Sequence, residues 1–214
     1  MALVCPAVLA ADQNSYHDQM TKVAGFAHRV QIDLADERFA PTKTVQPEQA
    51  WWPVGVRADF HLMLGRPASA VSALLRHRPH LIIVHAEAEG EFPAIAEACK
   101  SSGVKIGVAL LQDTPPQAIV PALGLIDHVL IFSGRLGQFG GQADLGQLNK
   151  VAILKAAKAE LEIGWDGGVN DQNAAGLVLG GVDVLNVGGY IQNAEQPQRA
   201  YQALQRIADE TGAT

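Results

Sequence analysis

The sequence predicts a (β/α)8 barrel. Three observations carry this: eight short apolar runs that do not alternate with polar residues, helical spacing in most of the gaps between them, and a length of 214 residues without a linker or low-complexity block. With 48% hydrophobic residues the chain can bury one substantial core but is too short for two full-sized domains, so residues 1–214 read as one domain. A doubly wound open sheet is the competing topology. Eight units have a natural closure, and no GxGxxG turn follows the first run, so the barrel is favoured.

The first run, Leu3–Leu9, lies in MALVCPAVLAAD, with no basic flank ahead of it and a proline inside it; it reads as a strand rather than a signal peptide. Tyr16, Met20, Val23 and Phe26 follow at helical spacing, and Val30–Leu34 is the second strand. The segment Ala35–Val54 breaks the rhythm, being polar and proline-bearing with at most a turn of helix near Gln49, and reads as a long functional loop. Val56–Met63 is the third strand, and behind Pro67 the stripe Val71, Leu74 and Leu75 marks the next helix. Leu81–His85 leads to a helix with Phe92, Ile95 and Cys99 on one face. After Lys105–Leu110, Thr114 with Pro115 reads as an N-cap and first turn leading to Ile119, Val120 and Leu123. His128–Phe132 precedes the stripe Leu148, Val151 and Leu154; Leu161–Trp165 precedes Ala174, Leu177 and Val178, capped at Gly180–Gly181. Val182–Val187 is the eighth strand, and Pro197 opens the last helix with Tyr201, Leu204 and Ile207.

Composition removes several function classes. Sixteen Lys and Arg stand against 22 Asp and Glu, a net charge of −6, which disfavours a general electrostatic grip on nucleic acid or an anionic membrane. Any anionic ligand must be held locally. Cys5 and Cys99 are too few and too far apart for a disulfide framework or a thiolate metal cage, and fit a reducing cytoplasm. No apolar stretch approaches the roughly 20 residues that span a bilayer, so a soluble cytoplasmic protein is expected.

In either topology ligand chemistry belongs at the C-terminal ends of the strands. There the sequence places Asp12, Gln31, Asp33, His61, His85, Glu87 and Asp166, polar residues that a packed strand does not need. Inward acids call for a metal, a hydrogen-bond network or a catalytic task to offset their desolvation. Asp33, His61 and Asp166 read as a divalent-metal site whose carboxylates also shuttle protons, with satisfied structural hydrogen bonding as the alternative. His17, His28, His77, His80 and His128 read as surface histidines on helices or at strand starts. Three glycine-rich turns follow the last three strands: GRLGQFGG with Gly137, Gly140 and Gly141; WDGGV with Gly167 and Gly168; and NVGGY with Gly188 and Gly189. Backbone N–H groups at such turns can cradle a phosphate without a cation, which suits an acidic chain, although glycines also serve as plain turns and caps.

These residues resemble the D-ribulose-5-phosphate 3-epimerase family of ribulose-phosphate-binding barrels, almost end to end. Cys5 to Asp12 is similar to the family's opening SPSILSAD, Asp33-Leu34-Ala35-Asp36 with Phe39 and Pro41 to its DVMDGxFVPN loop, and Phe60-His61-Leu62-Met63 to its DxHLMV strand. Val84 to Ala88 resembles its HxEA, Phe139 to Gln142 the end of PGFGGQ, and Asp166 to Asn170 is DGGVN. The resemblance implies epimerisation of a ketose phosphate, D-ribulose 5-phosphate to D-xylulose 5-phosphate of the pentose phosphate pathway, at C3 through an enediolate, with Asp33 and Asp166 as the acid/base pair. It implies a zinc, iron, manganese or magnesium ion held by Asp33, His61 and Asp166, a sugar-phosphate site that includes Ala7 and Met63, and a homo-oligomer of dimer size or larger. The sequence departs from the pattern inside the site: Gln31 stands where the family has a ligating histidine, Ala7 where it has serine, Ala35 and Phe132 where it has methionines, and Gly189 where serine is usual. Glu37 replaces a loop glycine, and Gln138 reads as one extra residue. An amide is a poor replacement for imidazole on the softer of these ions, so a weakly bound metal is expected, with Gln31 a possible ligand. Ala35 occupies the lysine position of the related decarboxylases' DxKxxD strand, which argues against decarboxylation. A sugar-phosphate-binding relative without turnover, or with another substrate, is the alternative that these departures support.

Overall fold

A computed structural model of the chain describes residues 2–213; residues 1 and 214 of the expected domain lie outside them. Eight parallel strands close into a barrel in sequence order: β1 (Leu3–Val8), β2 (Arg29–Ala35), β3 (Arg57–Met63), β4 (Leu81–His85), β5 (Lys105–Leu110), β6 (His128–Phe132), β7 (Glu162–Asp166) and β8 (Val184–Val187). Their ends lie within two residues of the apolar runs. Because neither face of a strand meets water, the runs are continuously buried: every residue of β2, β4, β6 and β8 is.

The helices are α1 (Gln13–Ala24), α2 (Ala68–Leu74), α3 (Phe92–Ser101), α4 (Leu148–Ala157), α5 (Ala174–Leu179), α6 (Gly189–Gln192) and α7 (Pro197–Gly212). The outward strand residues and inward helix residues form one large core cluster, Tyr16, Met20, Leu154, Trp165 and Leu204 among it, while Leu81, Ile83, Ala109 and Leu130 form a separate cluster inside the barrel. Ala35, Ala40 and Met63 pack a third cluster over the mouth. The loop between β2 and β3 carries a 3-10 turn at Pro47–Gln49 and a bridge from Asp36 to Lys43, as its polar sequence suggested.

Four expectations are corrected. Asp12 is no site residue: its carboxylate caps α1, accepting from Asn14 and Ser15 N–H at 2.9 and 3.0 Å. Thr114 caps nothing; its hydroxyl pairs with Glu87, and the helix expected behind it is a 3-10 helix, Pro116–Ala122, with Pro121 inside it. The turn at Gly188–Gly189 runs directly into α6, four residues too short for a hydrophobic stripe to reveal. His128 is buried against Glu162 Oε2 at 2.8 Å, and His80 is partly buried against Asp59 Oδ1 at 2.8 Å, because the barrel's N-terminal end holds acids rather than apolar side chains. There Arg29 donates to Asp59 at 2.5 Å and, through both terminal nitrogens, to Glu162 at 2.9 and 2.8 Å. Among the described residues no helix is long and apolar enough to cross a membrane.

Candidate functional site

Parallel register aligns the polar positions at the other end of the barrel. Gln31 lies beside Ala7, Asp33 beside His61, and Asp166 beside Asn186. Alternate positions on β2 turn both Gln31 and Asp33 inward. The two aspartates, far apart in sequence, thus meet over one imidazole: His61 Nδ1 is 3.0 Å from Asp33 Oδ1 and 3.6 Å from Asp166 Oδ2. Gln31 joins them from below, its Nε2 donating to Asp33 Oδ1 at 2.8 Å and to Asp166 Oδ2 at 2.5 Å.

Burial sets the charges. It lifts the Asp33 carboxyl to about 7, and lifts Asp166 likewise to about 7 with the Asp33 charge adding to the push. Burial drives His61 and His85 the other way, down to about 4, so both rings are neutral near pH 7. The site therefore holds two carboxyls poised to differ in protonation, the requirement for acid/base work.

His85 and Glu87 extend this cluster away from the mouth. His61 Nε2 lies 2.8 Å from His85 Nε2, and His85 Nδ1 lies 3.3 Å from Glu87 Oε2, within ion-pair range but outside hydrogen-bond alignment. Burial alone would raise the Glu87 carboxyl, but His85, the Thr114 hydroxyl and the Leu111 N–H outweigh it and hold the group down at about 2.

Asp33, His61 and Asp166 each offer a ligand atom, and these lie within 4.8 Å of one another. Two carboxylates and an imidazole suit an oxygen-preferring divalent ion. Gln31 Oε1 is buried without a hydrogen-bond partner among the described residues, and turning the amide over would present that oxygen to a cation. The residues present fit a divalent metal, although the Gln31 N–H now bridging the carboxylates must give way to it.

Above the aspartates a cavity of about 210 Å³ opens at the mouth, and every residue read from the sequence as substrate-binding borders it. Ala7 and Met63 line one side. Gly137, Gly140 and Gly141 come from the loop after β6, Gly167 and Gly168 from the turn after β7, and Gly188 and Gly189 from the turn after β8. Gly167 shows why glycine is needed: its φ is 111°, and a Cβ there would overlap the Gly134 backbone, so the two loops meet main chain to main chain. Arg135, Asn186 and Tyr190 also line the cavity and belong to no motif. Register could have found Asn186, which lies beside Asp166; Arg135 and Tyr190 carried no signal beyond proximity to glycines.

Compared with known proteins, residues 3–192 match the model of the ribulose-phosphate 3 epimerase family. A ribulose-phosphate 3-epimerase of Bacillus subtilis is 31% identical over 210 residues, covering 94% of this chain and 96% of its own. One of Helicobacter pylori is 30% identical over 214 residues, covering 95% and 97%. Among solved structures, KGPDC from Streptococcus mutans, in complex with a sugar phosphate, superposes with a TM-score of 0.72 at 14% identity over 98% of each chain, a likeness of fold.

Proposed function

Since the chain belongs to the ribulose-phosphate 3-epimerase family, we propose that it interconverts the C3 epimers of a ketose phosphate, D-ribulose 5-phosphate and D-xylulose 5-phosphate. The observation that carries this reading is the pair of buried carboxyls, Asp33 and Asp166, on opposite sides of one cavity and joined through a single amide. One carboxylate takes the C3 proton, and the electron pair of the broken C–H bond moves through C2 to the carbonyl oxygen, giving an enediolate. The carboxylic acid on the other face then protonates C3 as the C2 carbonyl re-forms, which inverts C3 and leaves the protonation of the pair exchanged. Shared burial and mutual repulsion favour one ionised and one protonated member. Asp33, His61 and Asp166, with Gln31 a possible fourth ligand, would hold the divalent ion. Such an ion supplies charge stabilisation to the enediolate oxygens.

The phosphate is assigned to the glycine turns, where main-chain N–H groups border the cavity without side chains to cover them. The sugar-phosphate complex of the Streptococcus mutans protein supports a sugar phosphate as the small-molecule partner. The test is incubation with ribulose 5-phosphate in D₂O, followed by NMR. Deuterium entering C3 of both epimers is expected; binding without exchange would overturn the reading in favour of a sugar-phosphate-binding protein.

A further inference from the structure

His85 and Glu87 lie outside the steps just described, yet both are built into the wall behind His61. The His61 and His85 rings are buried, and their Nε2 atoms approach to 2.8 Å. Only one proton fits between two ring nitrogens at that distance, so one ring donates and the other accepts. Which one does is set at the far end of the chain of contacts. Glu87 Oε1 accepts from the Leu111 N–H at 3.1 Å and meets the Thr114 hydroxyl, while Oε2 faces His85 Nδ1 at 3.3 Å.

We propose that Glu87, acting through His85, fixes the tautomer of His61 and is a positioning residue for the acid/base pair. A carboxylate facing His85 Nδ1 requires the proton on that nitrogen, since two lone pairs would otherwise oppose each other. His85 Nε2 is then the acceptor, His61 Nε2 carries the shared proton, and His61 Nδ1 presents its lone pair to Asp33 Oδ1 and Asp166 Oδ2. Oriented this way His61 cannot donate to the carboxylates. It accepts a hydrogen bond from whichever carboxyl holds the proton, or it ligates a cation, and both suit a pair that must keep one acid and one base. The opposite order would aim His61 Nδ1–H at Asp33 and favour the doubly ionised pair. This assignment rests on the acid/base reading of Asp33 and Asp166, but its geometry can be tested without turnover.

The experiment is long-range ¹H–¹⁵N NMR of the full chain labelled at histidine, in chelator, for the wild type and Glu87→Gln. The wild type is expected to show His61 protonated at Nε2 with Nδ1 bare, and His85 protonated at Nδ1. Glu87→Gln is nearly isosteric; with its oxygen kept by the Leu111 N–H, its amide N–H₂ faces His85 Nδ1 and should reverse both tautomers. With that reversal, kcat for C3 exchange should fall about 10–100-fold, the usual cost of losing a partner behind an active-site ligand, while KM stays near wild type because the glycine turns are untouched. A wild-type His61 protonated at Nδ1 overturns the proposal by itself, as does Glu87→Gln with unchanged tautomers. If Glu87→Gln does not fold, the wild-type spectrum still decides the proton order. The expected tautomers in a protein that exchanges no deuterium would refute the epimerase reading and leave the positioning role standing.

Discussion

At the level of single residues, the site's chemistry follows from a few side chains buried where strands have no structural need for them. Asp33, His61 and Asp166 were legible because each sits at the C-terminal end of an apolar run, and register then brought them together. What Gln31 does was not legible: its bridge to two carboxylates depends on the rotamer it adopts beside Ala7, which spacing cannot report. Asp166→Asn keeps the side chain's shape and its place beside Gly167, so the fold should survive while C3 exchange falls about 10²–10⁴-fold, the usual contribution of a general acid or base. Circular dichroism together with the D₂O assay checks both parts, and near-wild-type exchange would remove Asp166 from the proton-transfer pair. Gln31→His replaces a bridging N–H with an imidazole that can ligate. Divalent-ion binding, followed by calorimetric titration with Mn²⁺, should tighten about 10–100-fold. Unchanged affinity would show that Gln31 does not limit metal binding.

Among the elements, the strands and the longer helices were legible from hydrophobic period because burial on both faces leaves so plain a pattern, whereas short elements were not. The Thr114-Pro115 start reads as a helix cap in isolation, but a carboxylate from the end of β4 takes the hydroxyl, and Pro121 keeps the segment 3-10. The glycine turns were legible as a set, since three consecutive strand ends carry them, and their meeting in one cavity is a consequence of barrel closure. Gly189 gives the test of what they hold. A Cβ there would meet Asn193 Nδ2 at 3.4 Å and Gly140 N at 3.5 Å, close to ordinary contact, so Gly189→Asp is tolerable to the backbone yet sets a negative charge in the cavity. Like charges about 4 Å apart repel by several kcal/mol at an effective dielectric near 20, so KM for the sugar phosphate should rise at least about tenfold with kcat less affected. Steady-state kinetics separates the two, and an unchanged KM would place the phosphate elsewhere.

In the whole molecule, the two ends of the barrel divide the work: the C-terminal mouth holds carboxyls lifted toward neutrality, and the N-terminal end is closed by ions that must stay charged. Strand–helix alternation foretold the barrel, but nothing in it distinguished His128 from a surface histidine, because its partner Glu162 lies a full strand later and only closure brings Arg29 to both. Arg29 is 2% exposed and shared between Asp59 and Glu162, so its charge depends on both acids. Burial pushes the Glu162 carboxyl up, but hydrogen bonds from His128 and Arg29 outweigh it and hold the group well below the carboxylate range. A folded-state pKa below the unfolded one contributes stability that is fully present above the unfolded value of about 4.5 and lost as pH falls toward the folded value. The urea midpoint should therefore be steady through neutral pH and fall below about pH 4.5. Glu162→Gln removes that acid-sensitive contribution and leaves Arg29 with Asp59 alone. It should cost about 3 kcal/mol at pH 7, the low end for breaking a buried pair because the Glu162 side chain is 30% exposed, and its midpoint should decline less steeply with acid than the wild type's. Urea titrations of both proteins from pH 7 to about pH 3 check this; parallel curves would show that acid sensitivity arises elsewhere, and equal midpoints at pH 7 would show that Asp59 alone suffices to hold Arg29.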